Sequence, residues 1–457
     1  MEFALFLVTV AIAALAVAVA LFVAVLAARR LGQRWAAGTG RRTRALYADL
    51  VRRVAIGGVT AVDAGLQLRP GSTPWLALEE ALRAARHDAP PEGVRRIERF
   101  LAEAGFSDHY LDRLVHGDRY ERATAAVRLA EHRNPRTVPA LIVAVSDPDR
   151  DVRTAAVRAL GYLGSPAAVE ALAQVLARGI AAPGKADVAP RVVAGTLARF
   201  GPQAVDTLAP LLAHPSWRVR GAAAYLVGEL GASRAVPALI LALADPEPDV
   251  RAKAAQALGR LEARSALFPL LGRLEDPAWL VRMHAIRALG ALVEPTAAEP
   301  VGRRLRDAHW RVRQEAGAAL ARMGRRAQEV LTQTLLTADD PYAREQVVEE
   351  LQRTPVLDEA LDHLGGQVAE SGEPQGPAGR LLAAVADTGA HSRLLAALDG
   401  GHPDPAVRVA LTRLLGGREA PRVRTALARA ADADPDPMVR REAALKLQAA
   451  GAGTDTG

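Results

Sequence analysis

One seven-residue phrase returns along this chain of 457 residues, and its spacing leaves few folds open. It reads Asp147-Pro-Asp-Arg-Asp-Val-Arg153, Asp245-Pro-Glu-Pro-Asp-Val-Arg251 and Asp276-Pro-Ala-Trp-Leu-Val-Arg282. Weaker copies are His214-Pro-Ser-Trp-Arg-Val-Arg220, Asp307-Ala-His-Trp-Arg-Val-Arg313, His402-Pro-Asp-Pro-Ala-Val-Arg408 and Asp434-Pro-Asp-Pro-Met-Val-Arg440. Arginines 220, 251, 282, 313 and 344 step by 31 residues, as do Arg122 and Arg153. A fixed period of this length marks one supersecondary unit, copied and stacked. About eleven units fit residues 116–450, with degraded copies near 190, after an insertion at 178–187, and near 375.

Within a unit, Val-Arg opens a pattern such as Ala254-Ala255-x-Ala257-Leu258-Gly259, apolar at helical spacing. A turn follows, then a second apolar stretch such as Val236 to Leu243. The next Asp-Pro stops that helix and caps the one after it. No single helix pair buries its apolar faces alone, so neighbours must stack. With no strand signal, and aromatics at only 4%, the expected class is all-α, an α-solenoid of helix pairs.

These residues resemble HEAT repeats, and within them the short bacterial class called phycobilisome-lyase HEAT-like repeats. The resemblance implies that the Asp and the Arg six residues later form a hydrogen-bonded ladder along the stack. Asp147 and Arg153, Asp245 and Arg251, Asp276 and Arg282, Asp307 and Arg313, and Asp434 and Arg440 match that role. His116, His214 and His402 depart from it, and ladder continuity is in question there.

Ahead of the repeats, Phe3 to Ala28 runs 26 residues without a charge, proline or glycine. As a helix it would extend about 39 Å, longer than the roughly 30 Å hydrocarbon core of a bilayer. It lacks the basic n-region of a signal peptide and ends directly on Arg29-Arg30, so residues 3–28 read as an uncleaved transmembrane helix. Arg29, Arg30, Arg34, Arg41, Arg42 and Arg44 sit in the Arg-rich juxtamembrane segment 29–53. Basic flanks stay cytoplasmic, which predicts an outside N-terminus and a cytoplasmic solenoid at the cell (inner) membrane. The same arginines are either a topology signal alone or also attract anionic lipid. Residues 54–115 read as a helical neck that caps the solenoid, with Ser72-Thr73-Pro74 starting one helix to about Arg86 and Pro90-Pro91 another, and 451–457 as a flexible tail.

The formal charge of +7 is concentrated in residues 29–53, and the rest of the chain is close to neutral. That argues against a nucleic-acid partner, which wants a basic track along the repeats. There is no cysteine, which excludes disulfides and thiol chemistry. Iron-binding relatives of this repeat class use His-Glu pairs, and none of the ten histidines here is followed by Glu, so no metal, cofactor or small-molecule substrate is expected. Glycine-rich phosphate loops and Gly-x-Ser-x-Gly elbows are absent.

What remains is surface. In HEAT folds the helix starting at Val-Arg lines the inner curve. Five positions after the Arg, this gives one column: Val127, Arg158, Gly195, Tyr225, Gln256, Arg287, Ala318, Glu349, Leu381 and Arg413. Three of the five tryptophans, Trp217, Trp279 and Trp310, share one repeat position. They serve either as staples over their own turns or as a ridge for a partner. The reading is a membrane-anchored scaffold for a protein partner, itself a membrane protein or complex, and not an enzyme. The alternative is a lyase-like enzyme or subunit related to phycobilin lyases.

Overall fold

A computed structural model describes residues 47–452, apart from 58, 62, 63, 65–67, 182–187, 372–375 and 419. The expected membrane helix 3–28, the arginines from Arg29 to Arg44 and the tail beyond 452 lie outside the described residues. Among the described residues, no helix is long and apolar enough to cross a membrane, and there is no strand. They form two compact units, one up to Phe200 and one from Gly201.

The first unit opens with helix α1 (47–56), followed by α2 (Thr73–Asp88), α3 (Pro91–Glu103) and α4 (Phe106–His116). Ser72 stands at the N-cap of α2, but its side chain makes no capping bond, so Pro74 in the first turn supplies the start. The neck packs onto the first repeat, with α4 against α5 (Arg119–His132) and α6 (Val138–Ala144). Asp118 and Glu121 close a reciprocal capping box at the start of α5. Helices α7 (Arg150–Leu163), α8 (Ala167–Ala181) and α9 (Pro190–Ala198) complete the unit.

In the second unit, α10 is a single turn (Val205–Leu208). Long helices then alternate with short ones. The long set is α11 (Trp217–Glu229), α13 (Pro248–Arg260), α15 (Trp279–Leu292) and α17 (Trp310–Arg322); the short set is α12 (Val236–Ala242), α14 (Leu267–Gly272) and α16 (Ala298–Arg303). Val250, Ala254 and Leu258 lie four residues apart and are fully buried. Val281, Ala285 and Leu289, and Val312, Ala316 and Leu320, repeat that stripe one and two units later. Leu239, Leu270 and Val301 meet it from the short helices.

The Ala-Leu-Gly step has a packing cause. A Cβ added to Gly259 would lie 2.8 Å from the Ala288 backbone, and one on Gly228 would lie 2.7 Å from the Ala257 side chain. Gly228, Gly259 and Gly290 thus each rest on an alanine of the next long helix, closer than a side chain allows. Helices α18 (Arg325–Thr337), α19 (Pro341–Leu351), α20 (Val356–Ser371), α21 (Pro377–Asp387), α22 (Ser392–Ala396), α23 (Pro405–Leu415), α24 (Pro421–Ala433) and α25 (Pro437–Ala452) finish the unit.

Candidate partner-binding surfaces

The repeated Asp and Arg frame the surface. Arg251 donates from Nε to Asp276 Oδ2 and from Nη2 to Asp276 Oδ1, both at 2.8 Å, while its Nη1 reaches the Asp245 carbonyl at 2.8 Å. Arg282 binds Asp307 the same way at 2.7 Å and holds the Asp276 carbonyl. Arg220 with Asp245, Arg122 with Asp147 and Arg408 with Asp434 repeat the fork. The two members of each sequence pair therefore meet only through the aspartate's main chain. The carboxylate belongs to the arginine of the preceding repeat, 25 or 26 residues earlier.

Each carboxylate also accepts the N–H two residues on, from Glu247, Ala278 and His309 for Asp245, Asp276 and Asp307. Burial alone raises these three carboxyls. The guanidinium forks, those N–H groups and the surrounding positive charge outweigh it and hold them below the usual carboxylate range.

The histidine copies keep half of this role. His214 Nδ1 accepts from Ser216 N at 3.1 Å and its carbonyl accepts from Arg220 at 2.9 Å. His402 does the same with Asp404 N and Arg408. Residues 25 positions earlier are Ala189 and Pro377, so no arginine stands there for a carboxylate to receive. His116 closes α4, and Arg122 takes the Gly117 carbonyl in its place. Arg153 and Arg440 hold the carbonyls of Asp147 and Asp434. Arg313 holds the Asp307 carbonyl, and its guanidinium lies 6.0 Å from the Tyr342 ring centre, where Ala338 replaces the next aspartate.

The inner column separates into different environments. In the first unit, Val127 and Arg158 line a groove of about 970 Å³. Arg83, Arg86 and His87 of α2 form one wall, and Arg133, Thr154 and Tyr162 line it from the repeat side. Tyr162 is 54% exposed beneath the Arg199 guanidinium, and Gly195 is exposed. In the second unit, Tyr225 is exposed beside Arg260, Arg287 pairs with Glu315, and Glu349 pairs with Arg353. Gln256 and Ala318 are half-buried, and Arg413 pairs with Glu442. Leu381 is buried, which corrects its place in an accessible column; its helix α21 packs against α18 and α20. Reading repeats alone missed the α2 wall, because the neck does not share their period.

The three tryptophans each occupy the first position of a long helix, and none is fully buried. Trp310 is 56% exposed; Trp217 and Trp279 are half-buried. Trp279 stacks on His309 with ring centres 4.0 Å apart and planes 2° apart. His309 lies 6.4 Å from Trp310 at 14°. The Arg311 guanidinium stands 5.6 Å from the Trp279 ring and 5.2 Å from that of Trp310, and Arg218 stands 4.9 Å from Trp217. His309 and Arg311 flank Trp310 in sequence, and that adjacency was the signal available for finding them.

A buried polar cluster joins the neck to the first repeat. Tyr110 Oη donates to Glu79 at 2.7 Å, His132 Nε2 lies 3.1 Å from the other Glu79 oxygen, and Ser107 Oγ is 3.5 Å from His132 Nδ1. Burial and the Glu79 bond push the Tyr110 phenol up. Ser107 has no solvent exposure, which denies a substrate access to its hydroxyl.

Stacked helix pairs of one period, bolted by interrepeat Arg–Asp forks, define an α-solenoid repeat protein. Residues 107–189, 183–246, 236–321 and 392–455 match the family of HEAT repeats, and the chain belongs to it. No curated protein matches the sequence. Among solved structures, an engineered protein is 19% identical, covering 77% of this chain and 99% of its own at a TM-score of 0.34. The karyopherin Kap121p bound to Pho4p is 15% identical over 88% of this chain, at a TM-score of 0.43, and this chain spans 51% of its length. The CpcE and CpcF complex of phycocyanin lyase from Nostoc sp. PCC7120 is 24% identical, covering 62% of this chain and 94% of that one at a TM-score of 0.24.

Proposed function

We propose that this protein is a scaffold that holds a protein partner at the cytoplasmic face of a membrane. The observation that carries the reading is the groove of the first unit. It offers exposed apolar surface at Val127 and Tyr162 beside the exposed Arg133 and Arg158, which have no ion pair among the described residues. An apolar floor with charged walls suits a segment of another chain. Residues 3–28 act as the anchor in this reading, with Arg29, Arg30, Arg34, Arg41, Arg42 and Arg44 on the cytoplasmic side. Anchoring raises the effective concentration of membrane partners, so the partner is a membrane protein or complex. In spheroplasts, added protease should spare the solenoid until lysis. Capture from detergent extracts should recover one membrane protein reproducibly, and Arg158→Glu with Tyr162→Ala should lose it. Digestion without lysis defeats the anchor, and undiminished capture by the double variant defeats the groove.

The groove volume also favours a second reading, since it falls within the size of small-molecule sites. A lyase-like subunit that cradles a chromophore would carry that compound through purification, with an absorption band that disappears in the groove variant.

A further inference from the structure

The long helices of the second unit share an edge that the groove does not use. These four and the following α19 begin, one repeat apart, with Trp217, Pro248, Trp279, Trp310 and Pro341. A ring side chain, indole or pyrrolidine, stands at every step. The row is best formed at Trp279, His309 and Trp310, where stacked rings bring the two indoles within about 10 Å of each other, one spacing of packed helices. A polyproline II helix advances about 9 Å per three-residue turn. Successive turns of such a peptide would therefore meet successive ring side chains along the edge, and proline-rich segments dock on aromatic-lined surfaces.

The charges refine the occupant. Arg311 faces both indoles and has no carboxylate partner among the described residues. The carboxylates behind the row, Asp276 and Asp307, are buried and already held by Arg251 and Arg282. Further along, Glu247 and Asp249 flank Pro248, and Asp340 precedes Pro341. A peptide lying on this edge thus meets positive charge between Trp279 and Trp310 and negative charge on either side. His309 is fixed for the task, because its Nδ1 accepts the Arg311 N–H at 3.3 Å and so orients the ring against Trp279.

We propose that the Trp279–His309–Trp310–Arg311 edge binds a proline-rich segment of a partner protein that carries one acidic residue among its prolines. This rests on the scaffold reading and supplies it with a second contact, separate from the groove.

The test uses the full chain in detergent and a fluorescein-labelled peptide of four prolines, one aspartate and four prolines. Saturable binding is expected, with quenching of tryptophan fluorescence. Trp310→Ala and Arg311→Gln should each weaken it by about tenfold or more while leaving the melting temperature unchanged. Replacing the aspartate by lysine, or all eight prolines by glycine, should weaken it comparably. Absence of saturable binding, indifference to both variants, or equal binding of the glycine peptide overturns the proposal. So does tighter, Trp310-dependent binding of single-stranded oligothymidylate, which would make the edge a nucleic-acid contact. Absence of peptide binding, with partner capture still dependent on Arg158 and Tyr162, would reject this inference alone. Capture undiminished by Arg158→Glu with Tyr162→Ala, with peptide binding intact, would reject the groove alone.

Discussion

Arg251 grips Asp276 across a repeat boundary with two parallel hydrogen bonds of 2.8 Å, and the carboxylate side chain is only 2% exposed. The arginine simultaneously ties down the Asp245 carbonyl of its own repeat. One side chain thus fixes both the turn it leaves and the turn it meets.

Removing one partner of such a pair strands a buried charge. Arg251→Ala and Arg282→Ala should each cost about 3 kcal/mol or more. The double change Arg251→Met with Asp276→Leu should cost less than Arg251→Ala, because no charge is left unpaired. Denaturant melts of the four proteins decide this. Melts that coincide with wild type for the single variants would show that the ladder carries no stability.

The ladder also sets an acid limit. Asp245, Asp276 and Asp307 lie below their ordinary range when folded. An unfolded aspartate titrates near 3.9. The stabilisation is therefore complete above about pH 4 and disappears as pH falls through the lower folded values. Melting temperature should drop steeply below about pH 4, and Asp276→Asn should lower stability at neutral pH while flattening that drop. An unchanged acid limb in this variant would assign acid unfolding to other groups.

His284 acts in a different window. Burial, followed by the Arg287 charge, pushes its imidazole down to about 4, and its Nδ1 is buried without a hydrogen-bond partner. Unfolded histidine titrates near 6.5. Between those values the unfolded chain binds a proton that the folded chain refuses, so stability declines as pH falls from about 6.5 towards 4. His284→Gln should flatten this interval and leave the acid limb of the ladder in place. Calorimetry at pH 7 and pH 4.5 would separate the two; an unaltered difference between those temperatures contradicts the assignment.

Close approach of the long helices gives a steric prediction. A Cβ on Gly259 would meet the Ala288 backbone at 2.8 Å. Gly259→Ala should therefore destabilise by about 1–3 kcal/mol, although alanine is the better helix former. At Gly272, where an added Cβ has open space, the same substitution should be neutral or stabilising. Equal effects at the two sites would remove helix contact as the cause of the Ala-Leu-Gly step.

Much of this architecture was legible along the chain. The period, the Asp-Pro stops, the Val-Arg starts and the apolar spacing follow from local rules: turn chemistry, capping and helical periodicity act over a few residues. The shared register of Trp217, Trp279 and Trp310 was visible for the same reason. Contacts across repeats were not. Asp276 and Arg282 are six residues apart in sequence, yet the Asp276 carboxylate turns to Arg251, because the offset between stacked helices brings that guanidinium within hydrogen-bond reach. Packing likewise slid His309 between two tryptophans a full repeat apart, and laid the non-repetitive α2 beside Val127 and Arg158 to make a groove. It also buried Leu381, because α21 packs against α18 and α20. The sequence by itself determined the unit and its order; the tertiary structure decided which unit's side chains meet, since that depends on the angle and spacing at which whole helices pack.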